Sequence, residues 1–199
     1  FHGGEIRQVK DLEQAHFALA FESPHYKNPD IYTAQVFATA FGGGMSSRLF
    51  QEIREKRGLC YSIFASAGAY CDTGTLTMYA GTSGDKVSEL ANTTMDEVKR
   101  AADDMSEVEV ARARAQMKAG LLMGLESPSS RAERLARMIA IWDRIPSLDE
   151  VVAQIDSVTT ETVRNFAGLM SSGAPAALAL YGPVADAPPL EKLMARLVA

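Results

Sequence analysis

Apolar residues in the first part of the chain follow two spacings, and each spacing predicts a different element. The stretch AHFALAFES at 15–23 is apolar and aromatic up to a polar turn, which is typical of a buried strand. A helix is predicted to start at Pro29, because apolar residues keep helical spacing from Ile31 to Phe41 before three glycines. Two further strands are predicted as a hairpin, YSIFASAGAY and TLTMYAGTS, joined by CDTG.

A second helix is predicted ahead of this hairpin, from Ser46 to Arg57, with Gly58 as its left-handed stop. Four apolar residues are expected to form its buried stripe: Met45, Leu49, Phe50 and Ile53. Three charged residues at i, i+4 spacing are expected to form a ladder on its outer side: Arg48, Glu52 and Lys56.

From Asp85 onward the pattern is helical until a final strand, APAALALYGPV, and a short amphipathic helix, PLEKLMARLV. Capping residues predict three helix starts: Ser106 with Glu109, Ser127 before Pro128, and Ser147 with Glu150. This order predicts an α+β fold, a two-layer sandwich in which a mainly antiparallel sheet packs against helices. No linker rich in Pro, Gly or Ser interrupts it, so residues 1–199 are expected to form a single domain.

Composition and charge argue against several functions. The net charge of −5 disfavours a nucleic-acid partner, because phosphate binding needs a basic face. No apolar run reaches the roughly 18 residues of a membrane helix, and no secretory start is present. Two reduced thiols, Cys60 and Cys71, are favoured over one bridge between them, and reduced thiols favour a cytoplasmic location. The chain begins at Phe1 rather than Met, so we expect a fragment of a longer chain or a processed product.

Metal and nucleophile motifs do not occur in the sequence. The three histidines, His2, His16 and His25, have no partner four residues away, and there is no HExxH, HxxEH or Cys/His cluster. We therefore expect no zinc site formed by this chain alone. There is also no GxSxG motif, and no Gly-Lys-Ser/Thr follows the glycines, which argues against a serine nucleophile and a P-loop.

Two interpretations apply to the consecutive glycines Gly42, Gly43 and Gly44. The first is a corner between two helices that needs positive φ, and the local sequence favours it. The second is a glycine loop that allows a peptide backbone to approach closely.

Two interpretations also apply to Arg54 and Tyr61. Arg54 falls roughly 100° from the centre of the predicted apolar stripe, so its guanidinium is expected to emerge at the rim of that face. Gly58 reverses the chain and Tyr61 opens the next strand, so the two side chains are predicted to share a cleft and to bind a carbonyl or carboxylate. Alternatively, Arg54 only stabilises the helix dipole and Tyr61 only packs.

The segment GGGMSSRLFQEIREKRGLCYSI closely resembles the second, non-metal domain of the pitrilysin-type (M16) zinc peptidases, and is similar to bacterial relatives of mitochondrial processing peptidase. The likeness extends over nearly the whole chain: GGEIRQVKDLEQAHFALAFE, DTGTLTMYAGT and ARARAQMKAGLLMGLESPSSRAERLAR. The Arg-x6-Tyr spacing is specific in this context.

This resemblance implies a half-enzyme. Members pair two similar α+β halves across a closed chamber, and the first half binds zinc through HxxEH and a downstream glutamate. The second half lends an arginine and a tyrosine to the active site, which by match are Arg54 and Tyr61. The glycines 42–44 match the family's glycine-rich substrate loop, although the loop is short here.

Zinc is thus expected in the parent enzyme and not in this chain. The implied partners are an N-terminal half or a homologous zinc-bearing subunit, and a peptide substrate. An isolated half would expose its chamber face, so a homodimer is also expected as an alternative.

Two other functions stay open at this point. Family relatives in respiratory complexes keep the fold without catalysis, so the chain can be a scaffold subunit, in which case the parent's first half lacks HxxEH. It can also be a separate peptide-binding partner of a zinc-bearing subunit. The leading expectation is the active-site-completing domain of a zinc metalloendopeptidase, because both Arg54 and Tyr61 are present.

Overall fold

A computed structural model describes residues 1–198 of the chain. Five strands form one mixed sheet in the order β1-β5-β2-β4-β3. The strands are β1 Gly4–Val9, β2 Ala15–Ser23, β3 Ser62–Ala69, β4 Gly74–Thr82 and β5 Ala176–Gly182. The helices are α1 Ile31–Gly42, α2 Val87–Asp104, α3 Glu107–Gly124, α4 Pro128–Trp142, α5 Leu148–Asp156, α6 Thr160–Ser171 and α7 Leu190–Val198. A short π-helical turn, Phe50–Glu55, lies between α1 and β3.

The predicted fold class is confirmed, because this mainly antiparallel sheet packs against helices. Only β1 and β5 are parallel, and the other three pairings are antiparallel. The predicted hairpin is β3 and β4, with Ser62 opposite Gly81 and Ala69 opposite Gly74. Strand β1 is an addition that the apolar pattern did not predict, since its side chains are mostly exposed.

The core lies between one face of the sheet and the helices. Residues of β2 alternate between buried and less buried positions, and Phe17, Leu19 and Phe21 are at most 1% exposed. Strand β4 contributes Leu76 and Met78 to the same core, in register with β2. The alternation of period two therefore directs one side of every central strand towards the helices.

The opposite face of the sheet is less covered and carries an aromatic row. Phe64 on β3 packs against Tyr79 on β4, with ring centroids 5.2 Å apart. The Tyr79 hydroxyl and His16 Nδ1 on β2 are hydrogen-bonded at 2.7 Å, and the His16 ring lies 6.2 Å from Tyr181 on β5. His16 is thus a satisfied strand histidine, as its position in the strand pattern indicates.

The helix starts follow their capping residues. The Ser106–Glu109 capping box of α3 is confirmed in both directions, and Ser127 caps α4 ahead of Pro128. At α5 only half of the predicted box forms, because Ser147 accepts from the Glu150 N–H while the Glu150 carboxylate pairs with Arg144. Helix α1 begins at Ile31 after Asp30 rather than at Pro29.

Within residues 1–198, no helix combines the length and apolar character that crossing a membrane requires. Both cysteines are free thiols, as the sequence favoured: Cys60 is half-buried and Cys71 is exposed.

Candidate functional site

The segment that carries Arg54 is wound more widely than predicted. An α-helix is expected from Ser46 to Arg57, but the chain forms the π-helical turn instead, in which the Lys56 N–H donates to the Gln51 carbonyl at 3.0 Å. Gly58 ends it with φ of 60°, and its N–H donates to the Arg54 carbonyl at 3.0 Å. The left-handed stop is therefore confirmed, since only glycine adopts this conformation without cost.

Burial in this segment differs from the predicted pattern at two positions ahead of the π-helical turn. Leu49 and Ile53 are fully buried as predicted, but Met45 is 75% exposed, so its place in the stripe was wrong. Met45 lies in a turn before the helical residues begin, where the helical phase does not apply. Arg48 was also wrongly placed outside: it is 8% exposed and pairs with carboxylates of α2 and α3. The Glu52–Lys56 pair does form on the surface, at 2.5 Å.

Arg54 and Tyr61 lie in contact. The guanidinium carbon of Arg54 is 5.3 Å from the centroid of the Tyr61 ring and 4.4 Å from that of Phe50. Tyr61 is 79% exposed, and the Arg54 side chain is 32% exposed. Among residues 1–198, no hydrogen-bond partner occupies the Tyr61 hydroxyl, and the only acid within 4 Å of the Arg54 guanidinium is Glu55, at 3.9 Å. Both polar groups are thus open to a ligand.

The short link between the two side chains is held from β4 and from the start of α2. Lys86 Nζ donates to the Gly58 carbonyl at 2.9 Å, and the Thr82 hydroxyl donates to the Leu59 carbonyl at 2.5 Å. These two bonds fix the path of the chain into Tyr61. The sequence did not single out Lys86 or Thr82, although the hairpin register, which pairs Ser62 with Gly81, would have brought Thr82 near this link.

A polar cleft of about 330 Å³ opens beside Tyr61. Its lining includes one acid and one cation, Glu13 and Lys86, and Gly81 near the end of β4. Burial raises the pKa of the neighbouring Cys60 thiol to about 11, and the nearby Arg54 only partly offsets this. Cys60 is therefore protonated at neutral pH and is not a candidate nucleophile.

The glycine corner is built differently from the favoured expectation. None of Gly42, Gly43 and Gly44 has positive φ, so that prediction was wrong. Gly42 is buried, and a Cβ added to it would stand 2.3 Å from the backbone nitrogen of Ala65 on β3. Glycine is needed there because helix and strand approach closely. Gly43 and Gly44 are exposed, and Gln116 of α3 donates to the Gly43 carbonyl at 2.9 Å.

Metal ligands do not cluster in the described part of the chain. Residues 1–198 hold no group of three or more His, Cys, Asp or Glu side chains that could bind a metal ion. The site therefore consists of a guanidinium, a phenol and a polar cleft, which can bind and polarise a carbonyl group.

This α+β domain belongs to a known class of proteins, and sequence comparison identifies the family. The Peptidase M16 inactive domain family matches residues 1–117, and the chain belongs to this family. The expected resemblance to the C-terminal domain of pitrilysin-type peptidases is thereby confirmed.

Two bacterial relatives illustrate the match. An "Uncharacterized zinc protease" of Rickettsia bellii is 37% identical over 91% of this chain and 44% of its own length. The "Uncharacterized zinc protease YmxG" of Bacillus subtilis is 34% identical over 94% of this chain and 46% of its own length. The chain thus spans about half the length of these relatives.

The fold also recurs in a solved structure. A chain of complex III2 from Candida albicans, with Inz-5 bound, superposes with a TM-score of 0.88 at 22% identity. The superposition covers 98% of this chain and 49% of that one, and it shows the shared fold.

Proposed function

We propose that this chain is the C-terminal half of a zinc metalloendopeptidase similar to mitochondrial processing peptidase, and that Arg54 and Tyr61 complete an active site whose zinc the N-terminal half binds. The contact between the Arg54 guanidinium and the Tyr61 ring, with both polar ends open, carries this proposal. A domain that served only as a scaffold would not need an exposed phenol and guanidinium held together. The match to about half the length of relatives named zinc proteases supports the part of this proposal that pairs the chain with an N-terminal half.

The two side chains have distinct roles in this proposal. Tyr61 donates its O–H to the scissile carbonyl oxygen as negative charge develops there, as part of an oxyanion hole. Arg54 uses the planar edge of its guanidinium to bind a backbone carbonyl of the substrate. The flat face of the guanidinium contacts the rings of Phe50 and Tyr61, so the N–H donors at its edge stay free. Zinc, when bound by the other half, would activate the attacking water and polarise the same carbonyl.

The substrate of this site is an extended peptide inside a closed chamber formed with the other half. The polar cleft beside Tyr61 accepts one of its side chains, between Glu13 and Lys86. The exposed Gly43 and Gly44 let the peptide backbone approach, while the buried Gly42 shapes the corner from beneath.

Kinetics of the full-length enzyme test the role of Tyr61. We expect Tyr61→Phe to lower kcat by about 10- to 1,000-fold, because one transition-state donor is lost. Zinc content should stay unchanged, as measured by metal analysis of the purified variant. Tyr70→Phe is the matched control, because Tyr70 is also exposed, at 57%, but lies in the turn of the hairpin. Normal turnover by Tyr61→Phe would remove the phenol from the mechanism.

The same assay separates the two interpretations of Arg54. We expect Arg54→Ala to raise KM as well as lower kcat, because a contact made in the ground state is lost. Arg57→Ala, an exposed arginine of the same segment, should behave like the wild type. If Arg54→Ala unfolds, or is folded and fully active, Arg54 has only the structural role.

A further inference from the structure

One face of α3 holds the segment that leads into Arg54. Glu109 and Gln116 are seven residues apart with Arg112 between them, so all three point to the same side of the helix. Gln116 donates to the Gly43 carbonyl at 2.9 Å, and Arg112 Nη2 donates to the Ser46 carbonyl at 2.7 Å. Two successive turns of one helix thus bind the carbonyls of Gly43 and Ser46, on the path from the glycine corner to Arg48.

Glu109, the first member of this face, binds the buried Arg48. Its two carboxylate oxygens accept from Arg48 Nε and Nη2, both at 2.9 Å, while Arg48 Nη1 donates to Asp104 at the end of α2. The Arg48 side chain is only 7% exposed, so its charge is largely buried and is paired with two acids. Such a pair is directional, and losing one partner leaves a buried charge without compensation.

The π-helical turn Phe50–Glu55 is therefore held on both sides. Arg48 ties its start to the corner between α2 and α3, and Lys86 and Thr82 hold the chain just beyond its end. Leu49 and Ile53 fix only the side that faces the core, because apolar contacts are not directional. A π-helical turn is rare and usually short, and closure into an ordinary α-turn would rotate Arg54 relative to Tyr61.

We propose that Arg48, anchored by Asp104 and Glu109, is a positioning residue that holds Arg54 against Tyr61. Its importance for catalysis rests on the proposed function, whereas the positioning itself does not. A cation–π contact at an exposed site is weak, so it cannot fix the geometry of the turn by itself.

Nuclear magnetic resonance of the 199-residue chain tests this directly. In the wild type, the Arg54 Nε–H signal should be shifted by the two aromatic rings and should show a nuclear Overhauser contact with the Tyr61 ring. In Arg48→Met the contact should be lost and the shift should approach that of a solvated arginine. Arg48→Lys, which keeps the charge without the planar fork, should restore only part of the contact.

Arg137→Met is the matched control, because Arg137 forms an exposed i, i+4 pair with Glu133 on α4. It should leave the Arg54 signal unchanged. If Arg48→Met does not fold, Asp104→Asn decides, because its side chain is 46% exposed and its loss removes one acid from Arg48. A folded variant of either kind with an unchanged Arg54–Tyr61 contact overturns the proposal.

Kinetics of the full-length enzyme add a separate readout. Arg48→Lys should lower kcat/KM in the same direction as Arg54→Ala, without loss of zinc. If the parent has no peptidase activity, the proposed function fails while the resonance experiment still decides whether Arg48 positions Arg54.

Discussion

At the scale of single residues, close approach of backbones decides where glycine is required. Gly42 ends α1 directly under β3, and an added Cβ would also stand 2.6 Å from the Ala65 side chain. These neighbours include backbone atoms, which cannot move aside as a flexible side chain can. The corner that leads to Arg48 and Arg54 therefore depends on the absence of one methyl group.

We expect Gly42→Ala to destabilise the chain by about 1–3 kcal/mol, because a fully packed site must expand. Gly120→Ala is the matched control: Gly120 lies inside α3, and apart from the backbone of its own helix nothing lies within 4 Å of an added Cβ. That variant should gain up to about 1 kcal/mol from better helix propensity. Urea unfolding followed by circular dichroism measures both, and equal stability of Gly42→Ala and the wild type would contradict the close approach.

At the scale of elements, charged groups join the segment before β3 to the end of α2 and the start of α3. Burial alone would raise the pKa of Glu109, but hydrogen bonds from Arg48 and Ser106 lower it below its usual value. The pKa of Asp104 is likewise raised by burial and lowered more strongly by Arg48 and Arg100. For Arg48, burial lowers the pKa, and its two acids raise it above the ordinary value.

This cluster predicts an acid-dependent loss of stability. Carboxylates with lowered pKa stabilise the folded state above their unfolded pKa, and this contribution disappears as the pH falls through the folded pKa. We therefore expect the free energy of unfolding to decrease below about pH 5. In Arg48→Met the decrease over this range should be smaller, because the two pKa values return towards their usual range.

Glu97 on α2 titrates in the opposite sense. Burial raises its pKa, and Arg100 only partly offsets this, so its protonation adds stability as the pH falls. Arg48 is one of the cations that lower the pKa of Glu97, so in Arg48→Met this pKa should rise further and the stability gained on protonation should grow. The variant's curve should therefore be flatter than that of the wild type. Arg137→Met should follow the wild type. An equally steep acid loss in Arg48→Met would show that the Arg48 cluster does not cause it. Urea unfolding at a series of pH values measures the three curves.

At the scale of the whole molecule, the face of the sheet that points away from the core is only partly covered by the rest of the chain. Ile6, Phe64 and Tyr181 are between 43% and 69% exposed on it. Exposed apolar patches favour association. We therefore expect the isolated chain to associate with a second copy through this face.

Sedimentation of the 199-residue chain at increasing concentration measures this association. Phe64→Lys should shift the equilibrium towards monomer, because a charge then lies in the aromatic row. Val108→Lys, at an exposed position on α3, is the control and should not change it. A wild-type chain that stays monomeric over the whole range would contradict this prediction.

Local chemistry explains which features were predictable. The stop at Gly58, the capping box at Ser106 and the hairpin of β3 and β4 depend on neighbours in the chain, so residue order alone predicts them. The placing of Arg54 near Tyr61 follows from the same local reversal at Gly58, and the family resemblance assigned a role to the pair. Strand β1 was missed because a mostly exposed edge strand shows no apolar alternation.

The sequence by itself determined the α+β fold class, the family, and the proximity of Arg54 and Tyr61. Only the tertiary structure decided that Arg48 faces inward, that Gly42 needs space rather than positive φ, and that the turn carrying Arg54 is π-helical. The physical reason is that these three features depend on residues distant in the chain. The carboxylates that bind Arg48, and the strand that lies against Gly42, come close only in the folded chain. Such contacts override the periodicity of a single helix.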